Sequence, residues 1–413
     1  MATDNKILTH AKIAKEAAAM LIEESQFIKS INRNREEEFA KSIDGYKIGD
    51  TVTIKVPPVP VVTDGDVYNA EDAKLNAKEE SVKLTVDIPK HVGLKFGSAE
   101  KQLSLDSFKE RFLTPAVRSL ATTIDAEFLK RAIISVNNMT LIGGSEVSPL
   151  APFGRARQMM AKALASNEKR FALLSSGLTN SIVDNSGTLF NPTTEIATQY
   201  KEGYIGRARG FEFIESEHIF VFQNGTKTTG ITVSGANQTG GKLVVGGLTN
   251  GDVIKAGSVF TIAGVNQVHP LTRITYGTPM QFVVLEDVTA GGATAELKIY
   301  PEIKPTLLSA AKQANALVDV SPANSASLTF VGTANQVIEQ ALCFQKNAFA
   351  GAFVPQAVLA GCEGYTFNTE SIALRVQTGG DWVNNYEGTR IDVLCGFGTV
   401  RGNHAVRVGR ALT

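Results

Sequence analysis

Hydrophobic positions first fall at helical spacing over residues 10–31, where Ile13, Ala17, Met20, Leu21 and Ile28 share one face. The pattern predicts one amphipathic helix. Residues 32–39 follow with Arg33, Arg35, Glu36, Glu37 and Glu38, a charged run that belongs in solvent. From residue 51 the period changes to two. Val52, Ile54 and Val56 alternate with Thr51, Thr53 and Lys55, and Val82, Leu84, Val86 and Ile88 alternate again. Pro57, Pro58 and Pro60 bar regular pairing just past the first run. Between the runs, residues 63–80 are polar, with Val67, Tyr68 and Leu75 as the main apolar positions. Two strands joined by so long a polar connection predict a β-arm reaching away from its domain, since connections of this length inside compact domains are functional or disordered.

The helical period returns after residue 106. Ser107 and Glu110 have capping-box spacing, and Thr114 followed by Pro115 offers a second start. Leu113, Val117, Leu120, Ile124 and Phe128 line one face, and the pattern runs on to Val136. A helix from Pro115 to Val136 is about 33 Å long at 1.5 Å per residue, a length that suits a spine. Gly143, Gly144 and Pro149 end it. Residues 152–168 predict another helix, carrying Phe153, Ala156, Met159, Met160, Ala163 and Leu164, and residues 171–174 a buried strand. Helices, strands and glycine turns then continue to about Phe220.

Residues 223–303 differ. Residues 224–292 hold 13 of the 37 glycines, and short β-runs recur at 230–234, 242–245, 258–263, 281–285 and 295–300. Such runs, punctuated by Gly and Asn, predict an inserted all-β domain, a small barrel or sandwich. From Lys304 the mixed α/β pattern resumes and ends in strand-like runs at 390–394 and 405–408. The fold class expected for the whole chain is α+β.

Composition narrows the function. The chain has 413 residues, enough for two or three domains, and 43% hydrophobic residues, enough for a real core. Lys plus Arg and Asp plus Glu are 41 each, so the net charge is zero, which argues against a protein that grips nucleic acid by neutralising phosphates. Cys343, Cys362 and Cys395 are odd in number and form no C-x-x-C pair, so reduced thiols are expected rather than a disulfide framework or thiolate metal site. The first 19 residues are polar and lack the apolar core of a signal peptide, and no run approaches 18 uninterrupted apolar residues. A soluble product that stays where it is made is expected.

The motifs of catalysis fail one by one. Residues 235–243 approach a phosphate-binding loop, but Lys242 comes one place late and Leu243 stands where a metal-binding hydroxyl belongs, so a hairpin turn is expected. Gly396, Phe397 and Gly398 continue without the last glycine of a dinucleotide fingerprint. His10, His91, His218, His269 and His404 are scattered, without the spacing of metal ligands. Asp64 and Asp66 lack the glycine and closing glutamate of a calcium loop. No catalytic residue, cofactor or metal is expected. Surface-to-surface work is what remains for a large neutral chain with a long arm.

Several segments together resemble the coat proteins of short-tailed phages of the Salmonella type, within the tailed-phage capsid superfamily (the Johnson fold). They are residues 49–54 followed by Pro57 and Pro58, residues 111–116 through 120–125, residues 202–207 with 210–212, residues 228–236, residues 258–265, residues 281–284, residues 389–396, and Ala405 with Val406. Of these, Glu202, Gly203, Tyr204, Ile205, Gly206 and Arg207, followed by Gly210, Phe211 and Glu212, form the most specific match. The resemblance implies an N-terminal arm and helix (1–49), an extended β-loop (50–96), a peripheral domain with the spine helix (97–148), a first part of an axial domain (149–222), the inserted β-domain (223–303), and the rest of the axial domain with peripheral C-terminal strands (304–413). It implies a major capsid protein that self-assembles as pentamers and hexamers into an icosahedral shell around a scaffolding protein, with a portal protein, enclosing packaged double-stranded DNA without sequence-specific binding. Assembly in the host cytoplasm, residence in the virion and no membrane contact follow. A family feature is shortened: only residues 237–241 separate Ala236 from the next strand, where the family's insertion can carry a long charged loop. On the extended loop, Asp64, Asp66, Tyr68, Glu71, Asp72, Lys74, Lys78, Glu79 and Glu80 are the candidate contacts to a neighbouring subunit. Two other readings are a shell protein of a cellular nanocompartment with the same fold, and a glycan-binding adhesin. The second wants aromatic platforms, whereas residues 223–303 hold only Phe260, Tyr276, Phe282 and Tyr300, and no Trp.

Overall fold

The computed structural model describes residues 10–33, 51–56, 79–96, 109–143, 150–186, 206–308, 311–369, 372–381 and 386–412, with single positions 59, 60, 62, 66, 70 and 74. The charged run at 34–39, Ser107 and residues 202–205 of the resemblance lie outside them. The chain forms two compact units: Met1–Ile54, Val82–Leu129 and Phe349–Val400 make one, and Lys55–Ser81, Lys130–Ala348 and Arg401–Thr413 the other. The helices are α1 (His10–Glu24), α2 (Gln26–Ser30), α3 (Thr114–Ser135), α4 (Ala151–Lys162) and α5 (Ser176–Ser186).

The first unit is built on a six-stranded sheet in the order Thr51–Val56, Glu80–Phe96, Tyr386–Thr399, Ile372–Asp381, Glu363–Thr369, with Phe349–Val354 also pairing to Tyr386–Thr399. All five residues expected on the face of the long helix α3 are buried, from Leu113 to Phe128. Phe128 packs at 6.2 Å from Phe353 and 5.2 Å from Phe397, and Phe27 of α2 at 5.6 Å from Phe349. Five phenylalanines thus tie α2, α3 and two strands into one core. The single helix expected at 10–31 is two, broken at Ser25, which is extended (φ −94°, ψ 98°) and offers no side-chain cap. Its place is taken by buried Asp125 on α3, whose carboxylate accepts the Phe27 and Ile28 N–H groups at 3.4 and 3.0 Å. A carboxylate at a helix N-terminus satisfies orphan donors and the positive end of the dipole. The spine helix also begins differently: a π turn, Lys109–Leu113, leads into α3, so Thr114 is within the helix rather than its cap.

The second unit holds a seven-stranded mixed sheet in the order Asn138–Leu141, Ala405–Leu412, Val337–Gln345, Arg170–Leu174, Phe211–Glu215, Arg207–Ala208, with Phe222–Gln223 joined to Val337–Gln345. Phe153, Ala156 and Met160 of α4 and Leu178 and Ile182 of α5 cover one face, packing on Ala172, Leu174, Cys343, Val406 and Val408. Helix α4 is shorter than the expected 152–168. Ala165 N–H bonds to Met160 O and Leu164 N–H to Ala161 O, both at 3.0 Å, with Leu164 at φ +60°. That is a Schellman stop made without glycine.

Residues 224–331 of this unit form a six-stranded sheet in the order Leu328–Phe330, Val259–Val268, Thr275–Val284, Thr294–Ile303, Gly240–Gly246, Thr232–Val233. The two ends meet: Thr232 bridges Ser327, Val233 N–H bonds to Ala326 O at 2.9 Å and Leu328 N–H to Ile231 O at 2.9 Å. The sheet is therefore a closed barrel, with no free edge. Its interior holds Val245, Phe260, Ile262, Phe282, Leu297 and Ile303 among others. The closing strand lies beyond the interval 223–303. Past Ile303 no α-helix occurs among the described residues, only the 3-10 turns Lys346–Ala348 and Gly402–His404, so the expected return of helical character does not take place there. The barrel-completing and sheet strands absorb that part of the chain instead.

Candidate assembly surfaces

Of the nine loop residues singled out, Asp66, Lys74, Glu79 and Glu80 are described; Asp64, Tyr68, Glu71, Asp72 and Lys78 lie outside the described residues. Asp66, Lys74 and Glu79 are exposed and Glu80 half-buried. Glu79 pairs with Lys55 at 3.1 Å, across the base of the loop. Glu80 pairs with Lys304, which also reaches Glu302 at 3.1 Å. Glu79 and Glu80 are thus engaged within their own chain. The spacing of charges carries no sign of this, because the partner of Glu80 is 224 positions away.

The barrel is fastened to the mixed sheet by polar side chains. The Gln281 side-chain amide accepts the Met139 N–H and donates to Met139 O, each at 2.9 Å, pairing with the edge strand as a backbone would. Asn137 Nδ2 donates to Gln281 O at 3.0 Å. Arg407 is fully buried, donates to Gly257 O at 2.5 Å and to Gln340 Oε1 at 3.4 Å, and lies 5.5 Å from the Phe222 ring. Burial pushes its pKa down to about 9, so the guanidinium still carries its charge at neutral pH. A cavity of about 360 Å³ lies between α4 and the barrel, and its lining includes Arg155, Lys162, Thr278 and Gln281 but no carboxylate, histidine or cysteine. Lys162 Nζ donates to Thr278 Oγ1 at 3.1 Å and sits 5.1 Å from the Tyr276 ring.

Elsewhere the chemistry is structural. Residues 235–243 lie in the expected hairpin, whose turn at 234–239 joins Thr232–Val233 to Gly240–Gly246; the Gln238 amide fills it, donating to Ser234 O at 2.8 Å and accepting Val244 N–H at 2.7 Å. Among the described residues no three His, Cys, Asp or Glu side chains converge as metal ligands, and no helix is long and apolar enough to cross a membrane. None of the three cysteines is in a disulfide; burial pushes the Cys343 thiol far up, out of reach of ionisation. Arg375 donates to Asp392 at 2.9 Å and Arg390 at 2.5 Å, a charge network on the first unit's sheet.

Residues 32–409, most of the chain, match the family model described as P22 coat protein, gene protein 5, and the chain belongs to that family. It is a non-enzymatic major capsid protein with the α+β tailed-phage capsid (Johnson) fold, and it assembles with its own copies into the shell of a bacteriophage virion. The nanocompartment reading is not favoured. Among solved structures the chain is similar to a protein of Mycobacterium phage Che8 (13% identity, covering 93% of this chain and 90% of that one, TM-score 0.43). It is similar also to the capsid of Ralstonia phage GP4 (8% identity, 100% and 93%, TM-score 0.43). The I-domain of the CUS-3 coat protein matches at 30% identity over 26% of this chain and 99% of that one, with a TM-score of 0.21. A search of curated protein sequences finds no match.

Proposed function

We propose that this chain forms pentamers and hexamers that close into an icosahedral shell around a scaffolding protein, with a portal protein, in the host cytoplasm, and that the shell encloses packaged double-stranded DNA. The family match over residues 32–409 carries this reading. The balance of 41 basic and 41 acidic side chains supports enclosure of DNA without sequence-specific binding, because phosphate-gripping surfaces carry a basic excess. Within the shell, the extended loop between residues 57 and 81 contacts a neighbouring subunit through Asp64, Asp66, Tyr68, Glu71, Asp72, Lys74 and Lys78. Each exposed charge pair contributes only about 0–1 kcal/mol, and repetition over a whole shell makes such weak contacts sufficient while assembly stays reversible. The inserted domain is assigned residues 224–331, the interval that includes its closing strand.

The test replaces residues 64–78 with a short Gly-Ser turn and leaves Glu79 and Glu80 in place. The variant is expected to remain a folded, soluble subunit that fails to build uniform particles by electron microscopy. Particles of normal size and stability would overturn the intersubunit role.

A further inference from the structure

The two legs of the extended loop are both held by one short stretch of the same chain. On the outgoing leg, Val59 N–H donates to Asn315 Oδ1 at 3.0 Å. On the returning leg, the Glu80 carboxylate meets the Lys304 ammonium, whose other carboxylate neighbour is Glu302 at 3.1 Å. Residues 304–318 leave the barrel and return to it. Buried Ile303 stands at the exit and buried Val318 at the return, both in the barrel core. Between them Leu317 N–H bonds to Lys304 O at 3.0 Å, Thr306 N–H bonds to Val318 O at 2.9 Å, and Pro305 bridges Val318. Val318 bridges Gln267 in turn, and Asp319 accepts the Asn266 N–H at 2.8 Å. Asn315 sits in the turn of this ribbon at φ +50°, a conformation asparagine tolerates better than most residues. Lys304 and Asn315 therefore project from a braced support.

We propose that Lys304 and Asn315 are positioning residues that clamp both legs of the extended loop to the flank of the barrel in the same subunit, and so set the direction of the loop before a neighbour is met. The consequence for assembly rests on the reading that the loop contacts another subunit; the clamp itself does not. An isolated pair at the surface is worth little. Here the Lys304 and Glu80 side chains are only 30% and 42% exposed, and backbone bonds from Leu317 to Lys304 and from Thr306 to Val318 brace the support, so closing the clamp freezes little besides the loop legs. Burial alone would lower the pKa of Lys304, yet its two carboxylates raise it overall, so the ammonium stays charged. A second attachment on the other leg makes the first one nearly intramolecular in effect, and a loop held in its docking direction loses less freedom on meeting its partner. The inserted barrel is then a bracket for the arm as well as a domain in its own right.

The test uses the full chain in its unassembled form. Lys304→Ala with Asn315→Ala should raise hydrogen exchange at the Val59 amide and protease cleavage within residues 61–78 by about fivefold, the protection expected of one net hydrogen bond and one partly shielded ion pair. Exchange in the barrel strand Thr294–Ile303 should stay unchanged, which shows that the variant is folded. The single changes Glu80→Lys and Lys304→Glu should each loosen the loop, and the exchanged pair Glu80→Lys with Lys304→Glu, made together with Glu302→Gln so that the carboxylate moved to position 304 meets no like charge, should restore it. Wild-type exchange and cleavage in the double alanine variant, or an exchanged pair as loose as its single changes, would overturn the clamp. A loosened loop in a variant that still forms normal shells would uphold the clamp and overturn its consequence for assembly, leaving the intersubunit role to the loop replacement.

Discussion

His404 lies at the turn before the strand Ala405–Leu412, buried, with Nε2 3.1 Å from Ala163 O at the end of α4. Burial pushes its pKa down to about 4, and the guanidinium groups of Arg401 and Arg170 add to the effect. Nε2 donates to the carbonyl, and the lowered pKa keeps the ring neutral in the folded form near neutral pH. Because the folded pKa lies below the ordinary value of 6.5, the unfolded chain takes up the proton first. The contribution to stability is full above about pH 6.5 and is lost as the pH falls towards 4, by about 2 kcal/mol at pH 5. His404→Gln keeps a donor for Ala163 O and cannot titrate. Denaturant unfolding at pH 7 and pH 5 should show the wild type losing about 2 kcal/mol more than this variant between the two. An equal loss in both would assign the acid sensitivity to other groups. Arg407, three residues on, is buried for a different end. Its two Nη groups donate to Gln340 and Gly257 O, which ties the barrel to the sheet, while its Nε is buried without a partner.

At the scale of elements, stops and breaks are set by contacts that local pattern does not carry. Helix α4 ends because Leu164 takes a left-handed conformation at a position where glycine is usual. A side chain there costs roughly 1 kcal/mol, and Leu164 is 42% exposed, so little packing is lost with it. Leu164→Gly is therefore expected to raise stability by about 0.5–1 kcal/mol, read as a higher unfolding midpoint. A lower midpoint would mean that the leucine's contacts outweigh its strain. No glycine marks this stop, which is why the apolar period through Ala163 and Leu164 extends the expected helix too far. Ser25 is similar: the helix breaks there because Asp125, 98 positions from Phe27, caps the second half. By contrast α3 is legible from its period alone, since Leu113, Val117, Leu120, Ile124 and Phe128 all reach the core. The long barrel strands are legible only in part: the run at 281–285 marks the second half of Thr275–Val284, whose first five residues bury no side chain. The loop base is not: Glu79 and Glu80 read as surface charges until the fold brings Lys55 and Lys304 to them.

At the scale of the molecule, the inserted barrel depends on its latest strand. Leu328–Phe330 has three residues and follows a polar stretch, so no alternation announces it, yet it bonds on both sides. Phe260, Thr261 and Ile262 pair with it along one edge, and Ile231 and Val233 receive the adjoining residues along the other. Phe330 also stacks 5.2 Å from Phe260, which stacks 5.9 Å from Phe282. A fragment ending at residue 303 loses Val318, Leu328 and Phe330 from the core and opens two sheet edges. Burying each such side chain contributes about 1.5–3 kcal/mol, so the three together reach roughly 5 kcal/mol or more, a loss comparable with the whole stability of a domain this size. Open edges add a route to aggregation. The piece spanning 224–332 is therefore expected to fold alone, with dispersed amide signals in its proton–nitrogen spectrum, while the piece spanning 224–303 is expected to collapse or aggregate. The reverse result, or equal dispersion in both, would show that the barrel closes without Leu328–Phe330 and that its border lies at Ile303.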